Sequence, residues 1–129
     1  MGEWGYYLLL DQFLSSPSES RRAAAGWGGD RYDVYEGAQP GQVMIAHVSN
    51  WDTEADAREF FDAYVKRTEL RYQNSKLVND TQLPTPDTLK KWQTNEGQVV
   101  MELRGFRVTI IEGLAQQVDA NNVLKALRF

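Results

Sequence analysis

The chain has 129 residues, of which 42% are hydrophobic and 25% charged, a composition typical of one globular domain with a sizeable core. Its net charge is −4 and it has no basic stripe, which disfavours a nucleic-acid partner. The absence of cysteine excludes disulfides, thiolate catalysis and cysteine-ligated zinc. No apolar run approaches the roughly 20 residues that span a bilayer, so membrane insertion is not expected.

Two helices are predicted at the start of the chain. Residues 3–14 carry apolar side chains at helical spacing and begin without a polar leader or N-cap residue, which indicates a domain excised from a longer protein. In the following SSPSES, Ser16, Pro17 and Glu19 fit an N-cap, a first helical residue and the second half of a capping box. The second helix is therefore expected from Pro17 to Ala25, with Gly26 as a left-handed C-cap.

The middle of the chain predicts a hairpin followed by a helix. Alternating residues 31–36 and 42–49 flank GAQPG, a pattern typical of two strands joined by a loop. Thr53 and Asp56 then form a weaker capping signal. The helix that follows has an apolar face made of Ala57, Phe60, Phe61, Tyr64 and Val65. Residues 68–88 are polar, turn-rich and contain two prolines, so they are predicted to be mostly loop.

Three strands and a helix complete the pattern. TLKKWQT, QVVMELR and FRVTIIEG are predicted strands, and DANNVLKALRF predicts a short amphipathic helix. The element order is α-α-β-β-α-β-β-β-α, within a single domain over residues 1–129. Short connections favour antiparallel pairing, so the predicted fold is α+β, an antiparallel sheet of about five strands with helices packed on one face.

The glycine-rich segment AAAGWGGDRY suggests a phosphate-binding loop, but the elements on either side of the glycines come in the wrong order. Such loops run from strand through glycines to a helix N-terminus, whereas here the glycines follow a helix and face the negative end of its dipole. A structural role is expected instead, with one glycine at positive φ, the tryptophan as a core plug, and the aspartate pairing with the arginine or capping the turn. The residues concerned are Gly26, Trp27, Gly28, Gly29, Asp30, Arg31 and Tyr32.

A few polar strand residues are the remaining candidates for a site. His47 lies on the same face of its predicted strand as Val43 and Ile45 and is expected to be a half-buried packing residue. The predicted strands carry four carboxylates, Asp33, Glu36, Glu102 and Glu112. Strand carboxylates usually face solvent, but two of them, or one of them with His47, can form an acid–base pair. The ligand-site candidates are therefore His47, Trp51 and Glu112. GxSxG, HExxH and acidic calcium loops are absent from the sequence, so no catalytic residue, metal or cofactor is predicted.

The segments AAAGWGGDRYDVY, DTEADAREFFDAY and FRVTIIEGL resemble the C-terminal region of uncharacterised bacterial secreted or lipid-anchored proteins. In those proteins the upstream half resembles a zinc-peptidase domain. The resemblance runs from the first helix to Gly113 and implies an extracytoplasmic or cell-envelope location, with an upstream domain of the same chain as a partner. It carries over no catalytic residue.

Three functions stay open at this point. The first is a non-catalytic accessory or interaction domain of a larger secreted bacterial protein. The second is a module that binds a small ligand in a cleft lined by aromatic residues. The third is a hydrolase that uses His47 with a strand carboxylate.

Overall fold

The structure, a computed structural model, describes residues 1–36, 42–82 and 87–127, which form four helices and six strands in the order α-α-β-β-α-β-β-β-β-α. The predicted hairpin loop at residues 37–41 lies outside them. The elements are α1 (Gly2–Leu14), α2 (Pro17–Ala24), β1 (Trp27–Glu36), β2 (Val43–Trp51), α3 (Glu54–Arg71), β3 (Lys76–Gln82), β4 (Thr88–Thr94), β5 (Gly97–Arg104), β6 (Arg107–Leu114) and α4 (Ala120–Leu127).

The strands form one sheet in the order β1-β2-β6-β5-β4-β3, and every neighbouring pair is antiparallel. This confirms the predicted α+β fold with an antiparallel sheet, which has one strand more than expected. The extra strand, β3, lies in the segment predicted to be loop. It lies at the edge of the sheet and pairs with β4. Because an edge strand is less covered than a central one, its sequence can be polar and lack the apolar alternation that predicts a strand.

Helices cover both faces of the sheet, which corrects the expectation that all of them pack on one face. Consecutive residues of the central strands are buried on opposite sides: Val99 and Ile110 join the core under α1, α2 and α3, whereas Val100 and Ile111 pack against α4. Because side chains alternate along a strand, two adjacent apolar residues require cover on both faces. The amphipathic α4 provides that cover through Leu124.

The start of α1 is capped by a residue from β1. Asp30 Oδ1 accepts hydrogen bonds from the backbone N–H of Gly2 at 2.8 Å and from the indole N–H of Trp27 at 3.0 Å. Burial opposes ionisation of this carboxyl, but these donors and the amino group of Met1 outweigh it and hold its pKa below the usual value. Asp30 was expected to pair with Arg31 or to cap the turn; its bonds to Gly2 and Trp27 are of the capping kind, and Arg31 Nε lies 3.8 Å from Asp33 Oδ2.

The predicted caps of α2 are only partly formed. Ser16 and Pro17 do occupy the N-cap and first helical positions, but among the described residues the Ser16 side chain makes no capping bond, and Glu19 accepts a hydrogen bond from Lys66 at 3.2 Å instead. The helix ends at Ala24, followed by a right-handed Ala25, so Gly26 is not a left-handed C-cap. The capping signal of α3 is confirmed, because the Thr53 side chain accepts the N–H of Asp56.

The glycine segment forms the beginning of β1, paired with β2. The expected positive φ is confirmed at Gly29, where φ is 152°. Gly26 is required by a close approach: a Cβ there would lie 2.5 Å from Cβ and Cγ of Asp56 in the first turn of α3. Trp27 is only half-buried and packs at the margin of the core, so the expectation that it plugs the core is wrong; Trp51 and Trp92 are buried in this core.

Gly26→Ala is expected to destabilise the protein by about 1–3 kcal/mol, the usual cost of overpacking, because α3 must shift to admit the methyl group. Urea denaturation of the variant and the wild-type chain measures this loss. Gly28→Ala is the matched control, since its Cβ would lie 3.2 Å from its nearest neighbours and requires a smaller adjustment. Unfolding midpoints for Gly26→Ala equal to those of the wild-type chain would contradict the close approach.

Candidate functional site

A cleft of about 980 Å³ lies between the outer part of the sheet and the C-terminal end of α3. Its sheet wall comes from one face of β1, β2 and β6, where Tyr32 pairs with His47, and Ile45 pairs with both Val34 and Glu112. The opposite wall includes Tyr64, Arg67, Arg71 and Tyr72, which recur at helical spacing along and just beyond α3. The sheet therefore supplies more of the lining than α3, which with its C-cap residue supplies four side chains.

His47 lines the cleft and is 1% exposed, so it is more deeply buried than the expected half-buried packing residue. Its Nδ1 lies 3.0 Å from the hydroxyl of Tyr6 on α1. Its Nε2 is buried and, within the described part of the chain, has no hydrogen-bonding partner. Burial, the largest influence, lowers the pKa of this imidazole to about 4, and the ring is therefore neutral at pH 7.

Glu112 is the centre of a buried polar cluster at the bottom of the cleft. Oε1 accepts hydrogen bonds from Arg67 Nη1 at 2.9 Å and from the Tyr72 hydroxyl at 2.8 Å, and Oε2 accepts one from the Tyr64 hydroxyl at 2.6 Å. Burial opposes the ionised carboxylate, but Arg67 and the two hydroxyls outweigh it and hold the pKa of Glu112 below its usual value. Glu112 is therefore a buried, ionised and fully partnered carboxylate.

Arg67 is held on several sides by this cluster. Its guanidinium lies 4.8 Å from the ring centroid of Tyr64 and 5.2 Å from that of Phe13, in addition to its bond with Glu112. Arg67 Nε is the second buried nitrogen in the described residues that has no hydrogen-bonding partner. Two N–H-bearing side chains that line the cleft thus each retain an unused polar atom.

The structure brings together two of the three candidates inferred from the sequence. His47 and Glu112 both line the cleft, whereas Trp51 is in the core, stacked on Phe60 at 4.3 Å and donating its indole N–H to Ser49. The general expectation that strand carboxylates face solvent is right for Asp33 and Glu36 and wrong for Glu102 and Glu112, which are buried.

Sequence reasoning did not identify the partners of Glu112. Tyr64 was assigned to the apolar face of α3, and Arg67 and Tyr72 were not singled out. The available signal was their spacing, which places an arginine and an aromatic residue one and two turns after Tyr64 on the same side of the helix. Such a pattern is ambiguous, because arginine at the end of a helix is usually solvent-exposed.

In residues 1–36, 42–82 and 87–127, no three metal-ligating side chains converge on a common point. The helices of the same ranges include none with the length and apolarity needed to cross a membrane.

The family described as "Domain of unknown function (DUF8575)" matches residues 1–124, nearly the whole chain, and the chain therefore belongs to that family. No curated protein and no solved structure matches it.

The buried neutral state of His47 predicts a pH dependence of stability. Its pKa is about 4 in the folded chain and 6.5 ordinarily, so the unfolded chain binds more protons between these values. The contribution of neutral His47 to the free energy of unfolding is complete above about pH 6.5 and decreases as the pH falls towards 4. Over this interval it amounts to on the order of 3 kcal/mol.

Chemical denaturation between pH 4 and 7 measures this effect, with His47→Gln as the control that removes the titrating ring. We expect the difference in stability between the wild-type chain and the variant to shrink as the pH falls through this interval. A difference that stays constant would contradict a buried neutral imidazole.

Proposed function

We propose that this member of the DUF8575 family is a binding domain for a small, largely apolar molecule held in the cleft. The observation that carries the proposal is the combination of a cleft of about 980 Å³, apolar side chains open to solvent on its sheet wall, and buried polar groups at its base. Pockets for small organic ligands have volumes of roughly 300–1,000 Å³, with mostly apolar walls and a few convergent polar groups.

The sheet wall supports an apolar ligand. Tyr32, Val34, Val43 and Ile45 all line the cleft and are among the exposed large hydrophobic residues. They adjoin one another on β1 and β2, so they form a continuous patch rather than isolated exposed residues. Covering such a patch is favourable by about 25 cal/mol for each Å² removed from water.

The polar groups favour binding over hydrolysis. A general base of the histidine–carboxylate type needs the carboxylate to orient the imidazole, but Nδ1 of His47 is bonded to the hydroxyl of Tyr6. Glu112 is occupied by Arg67, Tyr64 and Tyr72. These contacts fix both side chains in place, as expected for a rigid recognition surface.

Ligand binding is compatible with an accessory role in a larger extracytoplasmic protein. The resemblance of this sequence to the C-terminal region of bacterial secreted or lipid-anchored proteins supports that placement. In this arrangement the domain supplies the binding cleft, and an upstream domain of the same chain is its partner.

A thermal-shift screen of apolar small molecules tests the proposal. A ligand at about 100 times its dissociation constant is expected to stabilise the folded chain by roughly 2.7 kcal/mol. Val34→Asp places a charge on the apolar wall of the cleft and is expected to abolish this gain. Phe106→Asp is the matched control, because Phe106 is 55% exposed, like Val34 at 56%, but lies in the turn between β5 and β6.

Either of two results would contradict the proposal. One is unchanged melting curves across a broad library of apolar compounds. The other is equal loss of ligand stabilisation in Val34→Asp and Phe106→Asp, which would place the binding surface elsewhere.

A further inference from the structure

We infer that the ligand presents a neutral hydrogen-bond acceptor, such as a ketone or amide carbonyl, to Nε2–H of His47. The inference rests on the proposed function and adds to it the chemical class of the ligand. It depends on the juxtaposition of an unpartnered buried imidazole nitrogen with an apolar cleft wall, and on the hydrogen bonds and donor strengths that assign the imidazole proton.

These hydrogen bonds begin at Trp51 in the core. The indole N–H can only donate, and it donates to Ser49 Oγ at 2.9 Å. The Ser49 hydroxyl also hydrogen-bonds the Tyr6 hydroxyl and lies 3.4 Å from the carbonyl oxygen of Val108. When the serine proton is donated to Tyr6 rather than to Val108, the Tyr6 proton is left for Nδ1 of His47 at 3.0 Å.

The relative acidities of the two groups determine the direction of the last bond. Burial raises the pKa of Tyr6 above its ordinary value, but it disfavours an imidazolate as well, so the phenol O–H is still a better donor than a neutral imidazole N–H, and an imidazole nitrogen is a better acceptor than a phenol oxygen. Tyr6 therefore donates to Nδ1, and the proton of the neutral ring lies on Nε2. Nε2–H is then a buried donor that lacks an acceptor among the described residues, and such donors are costly to leave unsatisfied.

The charges of the cleft favour a neutral acceptor over a carboxylate. Glu112 and Arg67 pair at its base, and Arg71 pairs with Glu96 at 3.4 Å. Glu36 also lines the cleft, as does Met1, whose terminal ammonium pairs with Asp30 at 3.1 Å. The cationic groups of this lining are already paired, so an anionic ligand gains little from them, whereas a carbonyl oxygen satisfies Nε2–H without introducing a charge. Arg67 Nε, also unpartnered, is a second N–H for the same acceptor or a neighbouring one.

The proton position can be measured directly, because His47 is the one histidine of the 129-residue chain. With ¹⁵N-labelled histidine, the NMR spectrum of the whole chain contains a single imidazole. At neutral pH we expect the proton on Nε2 and an unprotonated Nδ1. Tyr6→Phe is expected to weaken this preference and populate the other tautomer. A proton on Nδ1 in the wild-type chain would overturn the inference.

Three naphthalene probes of the same shape then test the ligand class. They are the methyl ketone, its isopropenyl analogue, in which a methylene replaces the carbonyl oxygen, and naphthoate. We expect the ketone to bind about tenfold more tightly than the isopropenyl compound, the usual value of one well-placed hydrogen bond. The ketone alone should shift the ¹⁵N resonance of Nε2, and naphthoate should bind more weakly than the ketone.

The outcomes separate the two proposals. Equal binding of the ketone and the isopropenyl compound would overturn the acceptor inference while leaving an apolar binding cleft in place. Tighter binding of naphthoate than of the ketone would overturn the inference that the acceptor is neutral. Failure of every probe to bind, with no shift of the methyl groups of Val34 and Ile45, would count against the proposed function itself. His47→Phe, which keeps the ring volume, should abolish the preference for the ketone over the isopropenyl compound.

Discussion

The buried charge of Glu112 is the constraint on which the cleft depends. A carboxylate in the interior of a protein is destabilising unless it is paired and hydrogen-bonded. Here the guanidinium of Arg67 and the hydroxyl of Tyr64 on α3, with the hydroxyl of Tyr72 at its C-cap, donate hydrogen bonds to Glu112. Arg67, Tyr64 and Tyr72 are 40 or more residues away from Glu112 in the chain. Their bonds therefore fix the position of α3 along the sheet.

This position leaves the outer ends of β1 and β2 without a helix above them. The aromatic core beneath α1 and α3, built around Tyr6, Trp51 and Phe60, covers the sheet as far as His47. Beyond it, Val34 and Val43 remain exposed on the same face. The polar floor and the apolar wall of the cleft are thus two consequences of where the helices end on the sheet.

The sequence contains most of the information on the elements and much less on the site. Strand alternation correctly placed His47 on the same face as Ile45, and helical spacing identified the buried face of α3. Edge strand β3 was missed because a strand with one neighbour can lack apolar alternation. The cap of α1 was missed because it is Asp30, 28 residues away from Gly2, and local signals cannot report such a partner.

The glycine segment illustrates the same limit. Its order, with the glycines after a helix and before a strand, argued against a phosphate loop, and the positive φ of Gly29 could be anticipated from composition. The role of Gly26 could not, because it depends on the approach of Asp56 in α3. The burial of Glu112 is equally non-local, since a glutamate on a strand is usually solvated until a fold supplies its donors.

A double-mutant cycle on Glu112 and Arg67, measured by urea denaturation, tests the central claim most directly. With Glu112→Gln and Arg67→Met, we expect each single substitution to cost about 3–5 kcal/mol, because it leaves an unpaired buried partner. The double variant should lose much less than the sum of the two. Additive losses below about 1 kcal/mol each, as found for exposed ion pairs, would contradict the account.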